Sequence, residues 1–294
     1  MSISGQLIVN RFLNTNKFTE LTRLLCGAAE RLGVFLEVRM NDEYFPAMGA
    51  GRDLMPGEKP DFVLFYDKDI RLASALEKRG FRLFNSSRAI ELCDDKSLMH
   101  AALDGAIPMP ATYCAPFTYE NIGYNSTEFV DKMFDLLGAP LVIKEAFGSF
   151  GQQVYLAESP EAAREILAAV GGKRLIFQKF VSECAGRDIR INVVGGRVIA
   201  AMERWSESGD FRANITIGGS MREYRPTAEE ERIALLAAER LGLDFCGVDI
   251  LRSDDGPLLC EVNSNAHFKS IMQCTGVNAA DEIMTHIART VKSL

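Results

Sequence analysis

Histidine is scarce in this chain, three residues in 294, and tryptophan occurs once. His100, His267 and His286 form no recognisable Ser-His-Asp or Cys-His constellation, so covalent catalysis through a protein nucleophile is not expected. The seven cysteines are odd in number and lack any Cys-x-x-Cys spacing, which points to reduced thiols rather than a zinc site or a disulfide framework. No apolar run approaches the roughly 18–20 residues of a membrane helix. Met1–Gln6 has neither the basic nor the long apolar region of a signal peptide, so a cytoplasmic protein is expected. Positive charge is also in deficit: 33 Lys and Arg stand against 40 Asp and Glu. The net charge of -7 argues against an electrostatic grip on nucleic acid or an anionic membrane. An apolar fraction of 47% excludes disorder, and the length suits two or three domains.

What is present is an alternation of strand and helix signals. The first 92 residues read as a β/α unit, with strands at Gln6–Asn10, Val34–Arg39, Asp61–Tyr66 and Phe81–Phe84 and helices at Phe18–Leu32 and Asp69–Arg79. Such alternation implies a parallel sheet, although no glycine-rich dinucleotide fingerprint follows the first strand. Beyond Asp94 the pattern turns to hairpins and helices, an α+β organisation, with boundaries placed at 1–92, 93–179 and 180–294.

Gly247–Asn263 is the most informative stretch, two apolar strands flanking an Asp-Asp-Gly turn. A turn centred on Asp255 sets Asp249 opposite Glu261 and Leu251 opposite Leu259, with Asn263 on the face of Glu261. Like charges directly opposite destabilise a bare sheet. An all-oxygen set would relieve the repulsion by holding magnesium or manganese, and such an ion usually keeps positions open for phosphates. Two solvated acids on an exposed face remain the plain alternative.

Leu141–Lys144 runs as a strand into a loop bearing Gly148, Ser149 and Gly151, whose backbone amides could approach phosphate oxygens. Loops of this kind are most often only turns, and Lys96 on local grounds is equally a surface residue. A second hairpin turns at Gly195-Gly196. Simple pairing sets Ile189 opposite Met202, Ile191 opposite Ala200 and Val193 opposite Val198, leaving Asp188, Arg190, Asn192 and Glu203 on the other face. A charged loop follows, Asp210-Phe-Arg-Ala-Asn214, and the planar fork of arginine suits phosphate or carboxylate.

Taken in order, these stretches resemble the ATP-grasp ligases, in particular the RimK-like group that joins amino acids to carboxylates. The resemblance covers about residues 85–292. It is carried by Asp95-Lys96, Val142–Lys144 with the Gly148–Gly151 loop, Gln178–Val181, Gly186–Arg190, Asp210–Asn214, Gly247–Asp249 and Glu261–Asn263. It implies an ATP-grasp fold: an N-terminal α/β domain and two α+β lobes, a central lid and a C-terminal metal-bearing lobe, enclosing the nucleotide. It further implies that Lys96 and Lys144 contact ATP phosphates under the Gly148–Gly151 loop, and that Gln178, Lys179 and Phe180 line the adenine. Asp188 and Arg190 would sit near the nucleotide, Arg212 and Asn214 near the transferred phosphate, and Asp249, Glu261 and Asn263 on two Mg2+ or Mn2+ ions. Lys144 and Arg212 would then be catalytic.

The implied reaction activates a carboxylate as its acylphosphate and joins it to an amino acid or other amine, the carboxylate being free, peptidic or on a carrier protein. A phosphotransferase that stops at the phosphorylated product and a regulatory module without turnover are the alternatives, and a homo-oligomer is open. Three departures bear on substrate. Lys179 replaces an acidic hinge residue. Ile217 stands where the glutamate-ligating branch has a basic residue, which argues against glutamate. Ser264–Ser270 is more similar to the carrier-protein ligases of lysine and arginine biosynthesis, which would turn His267 and Lys269 toward a substrate carboxylate.

Overall fold

The computed structural model describes residues 3–13, 15–148, 151–213 and 218–293. The opening unit comprises β1 (Ser4–Val9), α1 (Asn16–Arg31), β2 (Phe35–Met40), β3 (Phe62–Phe65), α2 (Ile70–Lys78) and β4 (Leu83–Phe84). Its sheet runs β2-β1-β3-β4 with every pairing parallel, the arrangement that helical crossovers impose. Helix α1 buries Leu21, Leu25, Ala28 and Ala29, one stripe at helical spacing.

Two short helices follow, α3 (Ser87–Asp94) and α4 (Lys96–Leu103). Residue 93 does not open the core of the middle unit, because Leu92, Met99 and Leu103 pack with Ile191, Ile233 and Val248 of the last unit. The middle unit has β5 (Thr112–Cys114), α5 (Phe129–Leu137), β6 (Leu141–Glu145), β7 (Val154–Ala157), α6 (Pro160–Val170) and β8 (Leu175–Lys179). Its antiparallel sheet runs β5-β8-β6-β7 over a separate core that includes Val130, Leu141, Leu167 and Phe177.

The last unit holds β9 (Arg187–Val194), β10 (Arg197–Ser206), β11 (Gly219–Glu223), α7 (Ala228–Leu241), β12 (Phe245–Ser253), β13 (Gly256–Asn263), α8 (Lys269–Thr275) and α9 (Ala279–Lys292). Its antiparallel sheet runs β11-β10-β9-β12-β13. A Thr227–Glu230 capping box starts α7, and Gly242 in the left-handed conformation ends it. One face of this sheet packs on α3, α4 and α7; elsewhere Phe245, Phe268 and Ile283 share a core with Leu7, Phe62 and Tyr66 of the opening unit. Buried Asn85 fixes that junction, donating to Phe245 O and Ser264 O at 2.9 Å and accepting from Asp244 N at 2.7 Å. All seven cysteines are free, Cys114 exposed rather than in a core. Among the described residues no helix is long and apolar enough to cross a membrane.

Candidate active site

The three sheets meet around a cavity of about 650 Å³, a size suited to a nucleotide or similar ligand. Strands β9, β10, β12 and β13 supply its floor, β6, β7 and Gly151 its roof, and Gln178–Val181 the connection between the two.

Two register irregularities set the floor. The β12–β13 turn is two residues, Asp254-Asp255, so Ser253 faces Gly256 and Leu251 faces Leu258, not Leu259. Cys260 is then the extra residue of a bulge, and beyond it Asp249 faces Glu261 and Gly247 faces Asn263. The expected opposition of carboxylates is therefore present. In the β9–β10 hairpin both turn glycines have positive φ, 55° and 70°, as a tight two-residue connection needs. A bulge between Val198 and Ala200 shifts every later pair by one residue: Met202 faces Arg190, and Arg204 faces Asp188. Glu203, expected on the Asp188 face, instead lies opposite Ile189 and pairs with Arg222. Arg204 takes its place in the cavity.

The result is an alternating array of two arginines and two aspartates across three strands. Arg204 donates Nε and Nη2 to Asp188 at 2.6 and 2.7 Å, and Nη2 lies 2.9 Å from Asp249 Oδ1. Arg190 holds Asp249 through both Nε and Nη2, the latter at 2.7 Å. Burial works to raise the pKa of Asp249, but Arg190 and Arg204 outweigh it and hold the carboxyl below its ordinary value. Asp188 goes the other way, pushed up by burial and by Asp249 despite Arg204. Gly247 makes room for the array: a Cβ there would lie 3.1 Å from Arg190 Cδ and Nη1 and 2.7 Å from Ala266 Cβ.

Asp249, Glu261 and Asn263 all line the cavity and present only oxygen acceptors in addition to the amide nitrogen. Neither the Glu261 carboxylate nor the Asn263 amide bonds to another described side chain, and Asp249 Oδ2 accepts one hydrogen bond only. This donor chemistry fits a hard cation. Among the described residues no three His, Cys, Asp or Glu side chains gather as a metal cluster, so an ion here would complete its shell with water or ligand oxygens.

Lys144 reaches down from β6 and is buried in the cavity, with Cys260 Sγ at 3.7 Å and no carboxylate partner among the described residues. Arg212 donates Nη1 to Gly151 O at 2.7 Å while Asp210 grips its Nε and Nη2 at 2.9 and 2.7 Å, tying the roof loop to the charged loop. The Asp210 carboxylate raises the Arg212 pKa further. Lys96 does not line the cavity, but its Nζ donates to Gly148 O at 3.3 Å, which ties it to the roof loop. Gly148 is likewise outside the lining, while Ser149 and Asn214 lie outside the described residues, as does Ile217.

Gln178, Lys179 and Phe180 all line the cavity with Val142, Val154 and Leu251, a largely apolar slot. The Gln178 amide is engaged by Thr112 Oγ1 at 2.9 Å, beside His100 Nε2. Burial first, then Lys144 and Lys96, pushes the His100 pKa down to about 4.

The opening unit also contributes, which sequence reasoning missed. Asn10 and Asp67 follow the carboxyl ends of β1 and β3, where ligands of parallel sheets commonly bind, and Lys17 and Phe18 project from α1. His267 lines the same end, whereas Lys269 does not; its Nζ pairs with Glu20 of α1. In this geometry Glu20, not a cavity group, is the partner of the Lys269 ammonium.

Residues 95–287 match the model of the RimK-like ATP-grasp domain. A protein named probable alpha-L-glutamate ligase from Maridesulfovibrio salexigens is 40% identical over 221 residues, 74% of this chain and 70% of its own. One of the same name from Marinomonas sp. is 44% identical over 180 residues, 58% of this chain and 60% of its own. Among solved structures, a RimK domain protein ATP-grasp from Sphaerobacter thermophilus superposes with TM-score 0.72 at 22% identity, covering 96% of this chain and 98% of its own. The ATP-grasp ligase PsnB, complexed with minimal precursor, Mg and ADP, gives TM-score 0.68 at 17% identity, covering 98% of each chain.

Proposed function

The chain belongs to the RimK-like ATP-grasp ligases, and we propose that it couples ATP cleavage to amide-bond formation between a carboxylate and an amine within the cavity at the junction of its three sheets. The carrying observation is that Asp249 and Glu261 oppose each other beside Asn263 in the cavity that Lys144 and Arg212 also enter.

In this reading the apolar slot at Gln178–Val181 receives the adenine, with backbone groups supplying polar contacts because the Gln178 amide is already engaged. Asp249, Glu261 and Asn263 hold magnesium, which supplies Lewis-acid stabilisation of phosphate charge when bound. A PsnB structure contains Mg and ADP, which supports magnesium here without fixing the number of ions. A substrate carboxylate oxygen bonds to the γ-phosphorus as the bond to the ADP oxygen breaks. The amine nitrogen then bonds to the acyl carbon, inorganic phosphate leaves, and the nitrogen loses a proton. Lys144 and Arg212 are fixed donors for charge on the transferred group, and the array preorganises Arg190 and Arg204 beneath it.

The names of the relatives support L-glutamate as the first substrate to test, on either side of the bond, while Ile217 argues against it. The test incubates protein, ATP and magnesium with pairs of amino acids, following ADP and phosphate release and product mass. Amine-dependent release with an amide product is expected. Release that ignores the amine would instead mark a phosphotransferase, and no turnover with any pair a binding module.

A further inference from the structure

A glutamine amide can meet a ligand with its oxygen or, turned over, with its two N–H groups, and its neighbours decide which. Gln178 is such a residue, 2% exposed on β8 and lining the slot proposed for the base. Its engagement is through the nitrogen alone. Thr112 donates its hydroxyl to Pro110 O at 2.7 Å, so toward Gln178 Nε2, 2.9 Å away, Oγ1 can only accept. His100 Nδ1 lies 3.2 Å from Met109 Sδ, a sulfur with no proton to give. Burial, with Lys144 and Lys96 nearby, pushes the His100 pKa down to about 4, so the ring is neutral and one nitrogen carries a proton. That N–H goes to the sulfur, and Nε2, 3.4 Å from the same Gln178 nitrogen, is left as an acceptor.

Both amide hydrogens thus point at acceptors whose sense is set further out, by Pro110 O and Met109 Sδ. Turned over, the amide would set its oxygen against two acceptors and leave its N–H groups without them. Among the described residues no group donates to Gln178 Oε1, and it is not among the buried stranded atoms, so the oxygen is left to the cavity. Val142, Val154 and Leu251 of the same slot are apolar and cannot take its place. Purines differ at position 6, where adenine carries an amino donor and guanine or hypoxanthine a carbonyl oxygen. An accepting oxygen suits the first and meets the second oxygen to oxygen.

We propose that His100 and Thr112 are positioning residues that lock the Gln178 amide with its oxygen toward the nucleotide, so that the slot accepts a 6-amino purine and rejects a 6-oxo purine. Neither lines the cavity, so both act through Gln178. The assignment rests on the nucleotide reading above and adds one side-chain contact to the backbone contacts of the base. A site built around one hydrogen bond discriminates most strongly against an analogue that leaves its buried group unpaired.

The experiment titrates Mg2+ with ATP, and Mg2+ with inosine triphosphate, into the full chain by calorimetry. The inosine nucleotide has the 6-oxo group without the 2-amino group of guanine, and no knowledge of the other substrates is needed. The unaltered protein should bind ATP about tenfold or more tighter. The double variant His100→Leu with Thr112→Val frees the amide to turn and offer N–H to a 6-oxo group. Its preference should fall to within about threefold, with inosine triphosphate bound at least as tightly as before. Simple damage to the slot would weaken both nucleotides instead. His100→Gln and Thr112→Ser, which keep an acceptor, should each retain the preference. Should the double variant fold poorly, His100→Leu and Thr112→Val are read singly, and each should reduce the preference. An unchanged preference in these variants, or an equal loss for both nucleotides, overturns the lock. Equal binding of the two nucleotides by the unaltered protein overturns it and leaves the nucleotide reading standing. Binding of neither overturns both.

Discussion

Asp249 and Glu261 face each other across one hairpin, yet they are held so differently that replacing each should have opposite consequences for folding. Asp249 is buried and accepts hydrogen bonds from Arg190 and Arg204. Removing one member of a buried ion pair costs about 3–5 kcal/mol, because the remaining charge is left without compensation. Arg204 keeps Asp188 in Asp249→Ala, so only Arg190 is stranded, and the lower end, about 3 kcal/mol, is expected. Glu261 has no such partner among the described residues, and Glu261→Gln removes a like charge facing Asp249, for a change of about zero to +0.5 kcal/mol. Both variants nonetheless delete a proposed metal oxygen, so both should lose ADP formation and weaken Mn2+ binding in the presence of an ATP analogue. Urea denaturation gives the stabilities and Mn2+ titration the ion affinity. The comparison belongs near neutral pH: the Asp249 pKa is depressed, so its contribution is complete above the ordinary carboxylate value and is lost as pH falls through the depressed one. Equal destabilisation by the two variants, or near-normal ADP formation by Asp249→Ala, would refute the reasoning.

Gly247→Ala introduces a methyl 2.7 Å from Ala266 Cβ and 3.1 Å from Arg190, so about 1–3 kcal/mol of stability should be lost together with a larger share of turnover as Arg190 is pushed off Asp249. Unchanged turnover at reduced stability would show that the Arg190 placement does not matter to the reaction. His100 titrates near 4 in the fold against about 6.5 unfolded, so the stability from keeping it neutral is present above pH 6.5 and is lost as pH falls through 4. The loss amounts to about 3 kcal/mol across that window, and His100→Asn should flatten the urea midpoint between those pH values. An acid profile identical to that of the unaltered protein would contradict it.

Local periodicity was legible wherever an element buries a regular stripe. The parallel opening sheet and the helices α7 and α9 follow from residue types and spacing. The elements not anticipated carry weak local signals. Strand β5 is three residues between Pro110 and Pro116, α5 has Glu128 at its N-cap with no side-chain cap bond, and α8 is seven residues long. Bulges were not legible, because they depend on how a strand fits its neighbours. In β12–β13 the misplaced turn and the Cys260 bulge cancel, so the opposition of Asp249 and Glu261 survives an imperfect premise. In β9–β10 nothing cancels the bulge at Ile199, and Arg204 replaces Glu203 at the site. The Lys17–His267 end depended on distant segments meeting, and no local pattern announces that.

The division of charge between sheet and loops also bears on catalysis. Arg190, Arg204, Asp188 and Asp249 stand on strands β9, β10 and β12, each guanidinium oriented by a carboxylate before any ligand arrives. Donors fixed in this way need little rearrangement when phosphate charge develops above them, which is where preorganised sites gain most. Lysines could carry the charge but not the geometry, because an ammonium has no planar fork for two carboxylate oxygens at once. The groups proposed to meet the ligand from above are mounted differently: Gly151 and Arg212 sit in loops, with Arg212 Nη1 donating to Gly151 O at 2.7 Å. In the proposed reaction, a floor whose guanidiniums are already oriented suits phosphate charge that passes from nucleotide to acylphosphate above it.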